Sequence, residues 1–388
     1  MEARVKSKIL DKLMAVTQNI GNPEVERWRE GGGRIAGYFC SSFPQEIIVA
    51  AGLLPFRVRG TGSTGTELSD ACFSSINCSF VRHTFNMALR GEMDFLDGII
   101  VPNSCDNVRR VYDHWIRRMD TPFVALMSLP RKAGEPQVDW LREELVNLKE
   151  GLEAHFGVAI TDEGLWGAIK LQNETRLLQR ELYDLRKREA PPITGAEILA
   201  VTVAGTAMPV DRYNSLLREL LAELRGAEGI TEYRARLMVI GGELDNPAYL
   251  EVIEGQGGLI VTDSLCFGSR MFWKDVDETA SDPLTALARY YIMERPSCPR
   301  VFGEYEHRAK YVQDMIREFH VDAVILERLA FCDFWGFEQF TSYNDFRDWA
   351  IPLLMLDREY LLSGVGQLKT RVQALLEMIG EARHGSAG

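Results

Sequence analysis

Seven cysteines carry most of the chemical information in this 388-residue chain: Cys40, Cys72, Cys78, Cys105, Cys266, Cys298 and Cys332. An odd number spread over the whole length is no disulfide framework, and none stands at the Cys-x-x-Cys spacing of a zinc knuckle or a dithiol redox motif. A metal site here has to be assembled from single cysteines on separate elements. Three of them have a positional argument. Cys105 follows Gly98-Ile99-Ile100-Val101-Pro102-Asn103-Ser104, and Cys332 follows Ala323-Val324-Ile325-Leu326 and a short connection. Both therefore fall past the carboxyl ends of expected strands, where open α/β sheets bind ligands. Each is followed by an aspartate, and Asp106 can cap the next helix. Cys78 precedes the helix expected from Ser79 to Leu89, whose positive end is expected to lower a thiol pKa. Three soft thiolates with no local partner suit a cubane iron–sulfur cluster with one iron left open, with zinc as the competing metal. Cys40, Cys72, Cys266 and Cys298 read as core or supporting residues, although Cys40 and Cys266 also lie near strand ends.

Gly60-Thr61-Gly62-Ser63-Thr64-Gly65 matches the glycine pattern of a dinucleotide-binding turn after a strand. That fingerprint also wants an acid about twenty residues on, at the end of the next strand. Ser79 to Phe85 offers a helical pattern without one, so a flexible, hydroxyl-rich loop bordering a substrate pocket is the preferred reading.

The elements that must position these residues form an α/β alternation. Strands are expected at Arg34–Phe39, Leu53–Val58, Asp97–Val101 and Pro122–Leu126, and again at Arg236–Ile240, Gly258–Thr262, Ala323–Leu326 and Pro352–Leu356. Between the two sets, residues from about Thr161 to Gly226 lose every strand signal and read as helical, interrupted at Pro191-Pro192 and Pro209. The pattern predicts two flavodoxin-like, doubly wound parallel-sheet domains joined by a helical segment, with divisions at 1–160, 161–233 and 234–388.

With 46% hydrophobic and 26% charged residues the chain has the composition of a packed globular protein. A formal charge of -12 gives no basic field for nucleic acid or anionic lipid. Neither a signal peptide nor a membrane span is visible, which predicts a cytoplasmic protein.

Several segments, in this order, resemble the 2-hydroxyacyl-CoA dehydratase and benzoyl-CoA reductase family. They are Phe43-Pro44-Gln45-Glu46-Ile47, Asn77-Cys78-Ser79-Phe80-Val81-Arg82, Leu96 to Asp106, Gly268-Ser269-Arg270, Phe331-Cys332-Asp333 and Gly366-Gln367-Leu368-Lys369-Thr370-Arg371. The resemblance implies an oxygen-sensitive 4Fe-4S cluster on Cys78, Cys105 and Cys332, in a dimer with a related cluster-bearing subunit. It also implies an acyl-CoA substrate and a separate ATP-hydrolysing iron–sulfur activator, since no Walker motif is present here. Benzoyl-CoA reduction is the first expectation, 2-hydroxyacyl-CoA dehydration the second, and a non-catalytic iron–sulfur or zinc scaffold the third. Arg82 and His83, one turn past Cys78, are candidates to bind the thioester and to deliver a proton, with Gly62 and Ser63 as further substrate contacts.

Overall fold

The computed structural model describes residues 7–385, apart from the side chains of 382–385. Eight strands form two four-stranded sheets. The first contains β1 (Ile35–Tyr38), β2 (Leu54–Arg57), β3 (Gly98–Pro102) and β4 (Phe123–Met127) in the order β2-β1-β3-β4. The second contains β5 (Ala235–Gly241), β6 (Gly258–Ser264), β7 (Ala323–Leu329) and β8 (Leu353–Arg358) in the order β6-β5-β7-β8. Every neighbouring pair is parallel. These are the strands the sequence pattern predicts, and with helices around them they make the expected α/β architecture, consistent with two flavodoxin-like domains.

The unbroken apolar runs of β3 and of β7 through Leu326 are buried throughout, as strands covered on both faces must be. The edge strands β4 and β8 are partly open to solvent. In each sheet the winding direction reverses beside the first strand, between β1 and β3 and between β5 and β7. The carboxyl ends at those two reversals are the crevices where this architecture binds ligands.

Helices Asp162–Asp184, Gly195–Ala204 and Val210–Arg225 lie between the sheets in sequence. Gly195–Ala204 is apolar all round and wholly buried, with Thr194 and Glu197 closing a capping box at its start. The halves share one hydrophobic cluster containing Val101 of β3, Leu326 of β7, and Leu217 and Leu220 of the bridging helices. A buried ion pair locks the seam: Arg57, at the end of β2, makes a two-pronged bond to Glu243 at 3.0 and 2.8 Å and donates to the Cys266 carbonyl at 2.7 Å. Among the described residues, no helix is long and apolar enough to cross a membrane.

Candidate functional site

The two reversals open on a common cavity of about 190 Å³. Six of the seven cysteines line it: Cys40, Cys78, Cys105, Cys266, Cys298 and Cys332. Cys40 follows β1, Cys105 follows β3, Cys266 follows β6 and Cys332 follows β7, so strand register delivers four thiols to one place. The remaining wall is largely apolar and includes Phe80, Val108, Leu329, Phe334 and Trp335.

Local backbone fixes each sulfur. Cys78, Cys105 and Cys332 all occupy the residue just before a helix, at Ser79–Leu89, Asp106–Arg118 and Asp333–Asp348. At that position the first helical N–H groups have no intrahelical partner and turn toward the preceding side chain. The Cys105 thiol accepts from the Val108 N–H at 3.4 Å, whereas the Cys78 and Cys332 side chains make no cap hydrogen bond. Cys40 sits in the left-handed region at φ 66° and its sulfur accepts from Ser42 N at 3.4 Å. Cys266 accepts from the Arg270 guanidinium at 2.9 Å. N–H donors thus meet the sulfurs of Cys40, Cys105 and Cys266.

Burial dominates the electrostatics. It pushes the Cys78 thiol up to about 11, against the lowering expected from its helix terminus, because loss of hydration outweighs the pull of the helix's first N–H groups. Cys105 and Cys332 are raised too, by burial first and then by neighbouring sulfur, with Cys78 the leading cysteine neighbour of both. Cys298 is raised by burial and then by Cys40, while Cys266 is pushed up to about 12 by burial, with Cys298 as its cysteine neighbour. The couplings run across the whole cavity, since Cys105 also feels Cys40 and Cys298 and Cys332 also feels Cys298, so the six thiols act on one another in one space. The cavity also holds charge of both signs. Arg300 is buried on its wall and bonded to the carbonyls of Ser104, Leu129 and Pro130 at 3.3, 3.2 and 2.8 Å. Glu243 is the seam carboxylate on the same wall, and burial raises its pKa.

The other residues singled out from sequence lie elsewhere. The loop Gly60 to Gly65 follows an edge strand and is not on the cavity wall. It faces the seam: Gly60 N–H donates to the Tyr360 hydroxyl at 2.9 Å and Thr61 to Asp245 at 2.9 Å. Gly62 takes φ +90°, which glycine adopts without penalty, and Ser63 bonds His83 Nδ1 at 2.9 Å. His83 is buried, which lowers its pKa, and Arg82 is held by Asp70 at 2.6 Å. None of these four lines the cavity.

The model of the family described as 2-hydroxyglutaryl-CoA dehydratase, D-component, matches residues 40–379. The chain belongs to this family. A benzoyl-CoA reductase subunit from Thauera aromatica is 29% identical over 84% of this chain and 86% of its own length. The (R)-phenyllactyl-CoA dehydratase beta subunit of Clostridium sporogenes is 24% identical, covering 96% and 99%. The beta subunit of (R)-2-hydroxyglutaryl-CoA dehydratase from Acidaminococcus fermentans is 25% identical, covering 91% and 94%. Members of the 2-hydroxyglutaryl-CoA dehydratase family thus include reductase and dehydratase enzymes. The match begins at Cys40 and spans all six cavity cysteines.

Sequence reasoning read Cys40, Cys266 and Cys298 as core or supporting residues, and the fold places all three on the cavity wall. For Cys40 and Cys266 the signal was present, since both follow predicted strands. Cys298 lies in an irregular stretch after residues 290–294, and nothing local points it at the cavity. Cys72 is off the wall, as expected.

Proposed function

We propose that this chain is the iron–sulfur subunit of an activator-driven acyl-CoA reductase. The observation that carries the reading is the convergence of six thiols on one cavity between the two sheet reversals. Cys78, Cys105 and Cys332 would hold a [4Fe–4S] cluster, and Cys40, Cys266 and Cys298 offer a second set of three soft donors in the same space. Among the described residues, no three His, Cys, Asp or Glu are grouped to hold a single metal ion. A cluster in which each thiolate serves a different iron suits sulfurs spread around a cavity, whereas one zinc ion needs a tight tetrahedron.

Bound there, the cofactor supplies single electrons at low potential. The chain's own residues make that possible in three ways. The N–H groups that meet Cys40, Cys105 and Cys266 favour the anionic, metal-binding form of those sulfurs. Arg270 and Arg300 place positive charge beside Cys266 and beside Cys40, Cys298 and Cys105, offsetting accumulated negative charge. Phe80, Val108, Leu329, Phe334 and Trp335 keep water away from the sulfurs and give an aromatic acyl group an apolar surface to meet.

Benzoyl-CoA is the proposed substrate, supported by the likeness to a benzoyl-CoA reductase subunit over most of the chain. A 2-hydroxyacyl-CoA is the second reading, which the dehydratase beta subunits among the relatives favour. A related subunit and a separate ATP-hydrolysing electron donor complete the proposed system, since the relatives are named as subunits and this sequence carries no Walker motif. Anaerobic purification with iron and sulfide analysis is the test. About eight irons per chain are expected if both thiol sets are used, and about four if only the first is. Stoichiometric zinc, or no metal after anaerobic reconstitution, overturns the reading. Turnover with activator and reductant then separates the substrates: reduction of benzoyl-CoA supports the first, and dehydration of a 2-hydroxyacyl-CoA alone replaces it with the second.

A further inference from the structure

We propose that Asn107 is a positioning residue that holds the segments carrying Cys78, Cys105 and Cys332 in one arrangement. The consequence for a cofactor rests on the iron–sulfur reading above, whereas the clasp itself rests on geometry alone. Asn107 is the second residue of the helix that Cys105 caps, and it lines the cavity. Its Oδ1 accepts from Asn77 Nδ2 at 2.9 Å and from the Cys78 backbone N–H at 3.2 Å. Its Nδ2 donates to the Phe331 carbonyl at 3.4 Å. One side chain thereby touches all three cysteine-bearing segments, two from the first half of the molecule and one from the second.

Each bond answers a local need. The Cys78 N–H belongs to the residue before a helix, so no intrahelical carbonyl accepts it, and in a buried position it requires an outside acceptor. Phe331 has φ +64°, uncommon for an aromatic residue and sustained only where the surroundings fix it. Asn107 holds its carbonyl while the next residue, Cys332, donates its N–H to Leu329 O at 3.0 Å. Only a planar amide of this length serves both ends, since aspartate keeps the acceptor and loses the donor, and alanine loses both. The halves are also tied by Arg57–Glu243 and Thr61–Asp245, neither of which involves Asn107, so its loss should loosen the cysteine segments without separating the halves.

The test compares wild type, Asn107→Ala and Asn107→Asp as full-length protein, loaded and cluster-free. In the cluster-free chain, hydrogen exchange at the Cys78 amide should accelerate about 10-fold or more in Asn107→Ala, with the same change across 329–333. Asn107→Asp should protect Cys78 as wild type does and accelerate only 329–333, a split that general destabilisation would not give. In the loaded protein, Asn107→Ala should release iron to a chelator about 10–100-fold faster, as loss of an outer partner of metal ligands typically does. Its reduced-state EPR spectrum should change as well. Wild-type exchange at both segments in Asn107→Ala overturns the clasp. Altered exchange with unchanged iron release and spectrum overturns its role toward the cofactor. If the wild type takes up no iron, the functional reading fails while the exchange data still decide the clasp.

Discussion

Beyond β1 the chain turns through Cys40 in a left-handed conformation; beyond β5, its counterpart in the second sheet, it turns through Gly242 to Glu243, placing a carboxylate where the first half has a thiol. Beyond the edge strand β2 comes the cysteine-free Gly60 to Gly65 loop, and beyond the edge strand β6 comes Cys266. Only β3 and β7 match, each leading to a cysteine that precedes a helix beginning with aspartate. The two halves have one strand order and deliver three thiols each by different routes. The six thiols line one cavity and come three from each half, so neither half alone completes the site. The seam between the sheets is therefore the element on which the site depends.

The halves also differ in how they grip the bridging helices. In the first, the buried Glu46 pairs with the buried Arg176 of helix Asp162–Asp184 and accepts from the Tyr291 hydroxyl at 3.0 Å. In the second, the buried Glu254 accepts only backbone N–H bonds, from Gly195 at 2.7 Å, Ala196 at 3.1 Å and Ile260 at 3.1 Å. Burial raises its pKa to about 7 despite those bonds. Burial thus makes Glu254 a proton-binding group near neutral pH although backbone N–H groups hold it.

Breaking the thiol contributions should have the largest effect. Cys105→Ser and Cys332→Ser, one from each half, should each strip the first set of iron and abolish turnover. Cys298→Ser should remove the share of the second set, and Cys72→Ser should leave iron content unchanged. Full iron in Cys332→Ser would show that the second half is not needed for the first set. Breaking the seam comes next. Arg57→Leu strands the partly buried Glu243 carboxylate, and losing one partner of such a pair costs about 3 kcal/mol or more in urea unfolding of the cluster-free chain. An unchanged midpoint would mean that the halves are held by apolar contact alone.

The smallest effect tests the grip on the bridge. Glu254 has a folded-state pKa above its unfolded value, so its contribution is present at low pH and is lost as pH rises through about 7. Between pH 6 and 8.5 that loss amounts to about 1.4 kcal/mol. Glu254→Gln should flatten this part of the urea-stability profile, whereas Glu46→Gln, which removes charge from a paired site, should lower stability across the range. Parallel profiles for wild type and Glu254→Gln would contradict the assignment.

Much of this was legible from the chain. Buried parallel strands are apolar runs of fixed length, and eight such runs were readable because nothing outside the run is needed to recognise it. Cys78, Cys105 and Cys332 were legible because the strand end and the helix start that position them are local features. The direction of the Cys78 pKa was misread because burial is a property of the whole fold, while the helix terminus that argues the other way is visible in the sequence.

What the sequence determined by itself was the set of strands and helices and the placing of three cysteines at their ends, since both follow from periodicity and local capping. What only the tertiary structure decided was which strand ends face each other. Strand order and the packing of one half on the other brought Cys40, Cys266 and Cys298 onto the same wall and turned the Gly60 to Gly65 loop toward the seam. They also set Asn107 against a carbonyl 224 positions further along the chain. Contacts between residues so far apart depend on how two separately formed sheets dock, and no local pattern in either one encodes that.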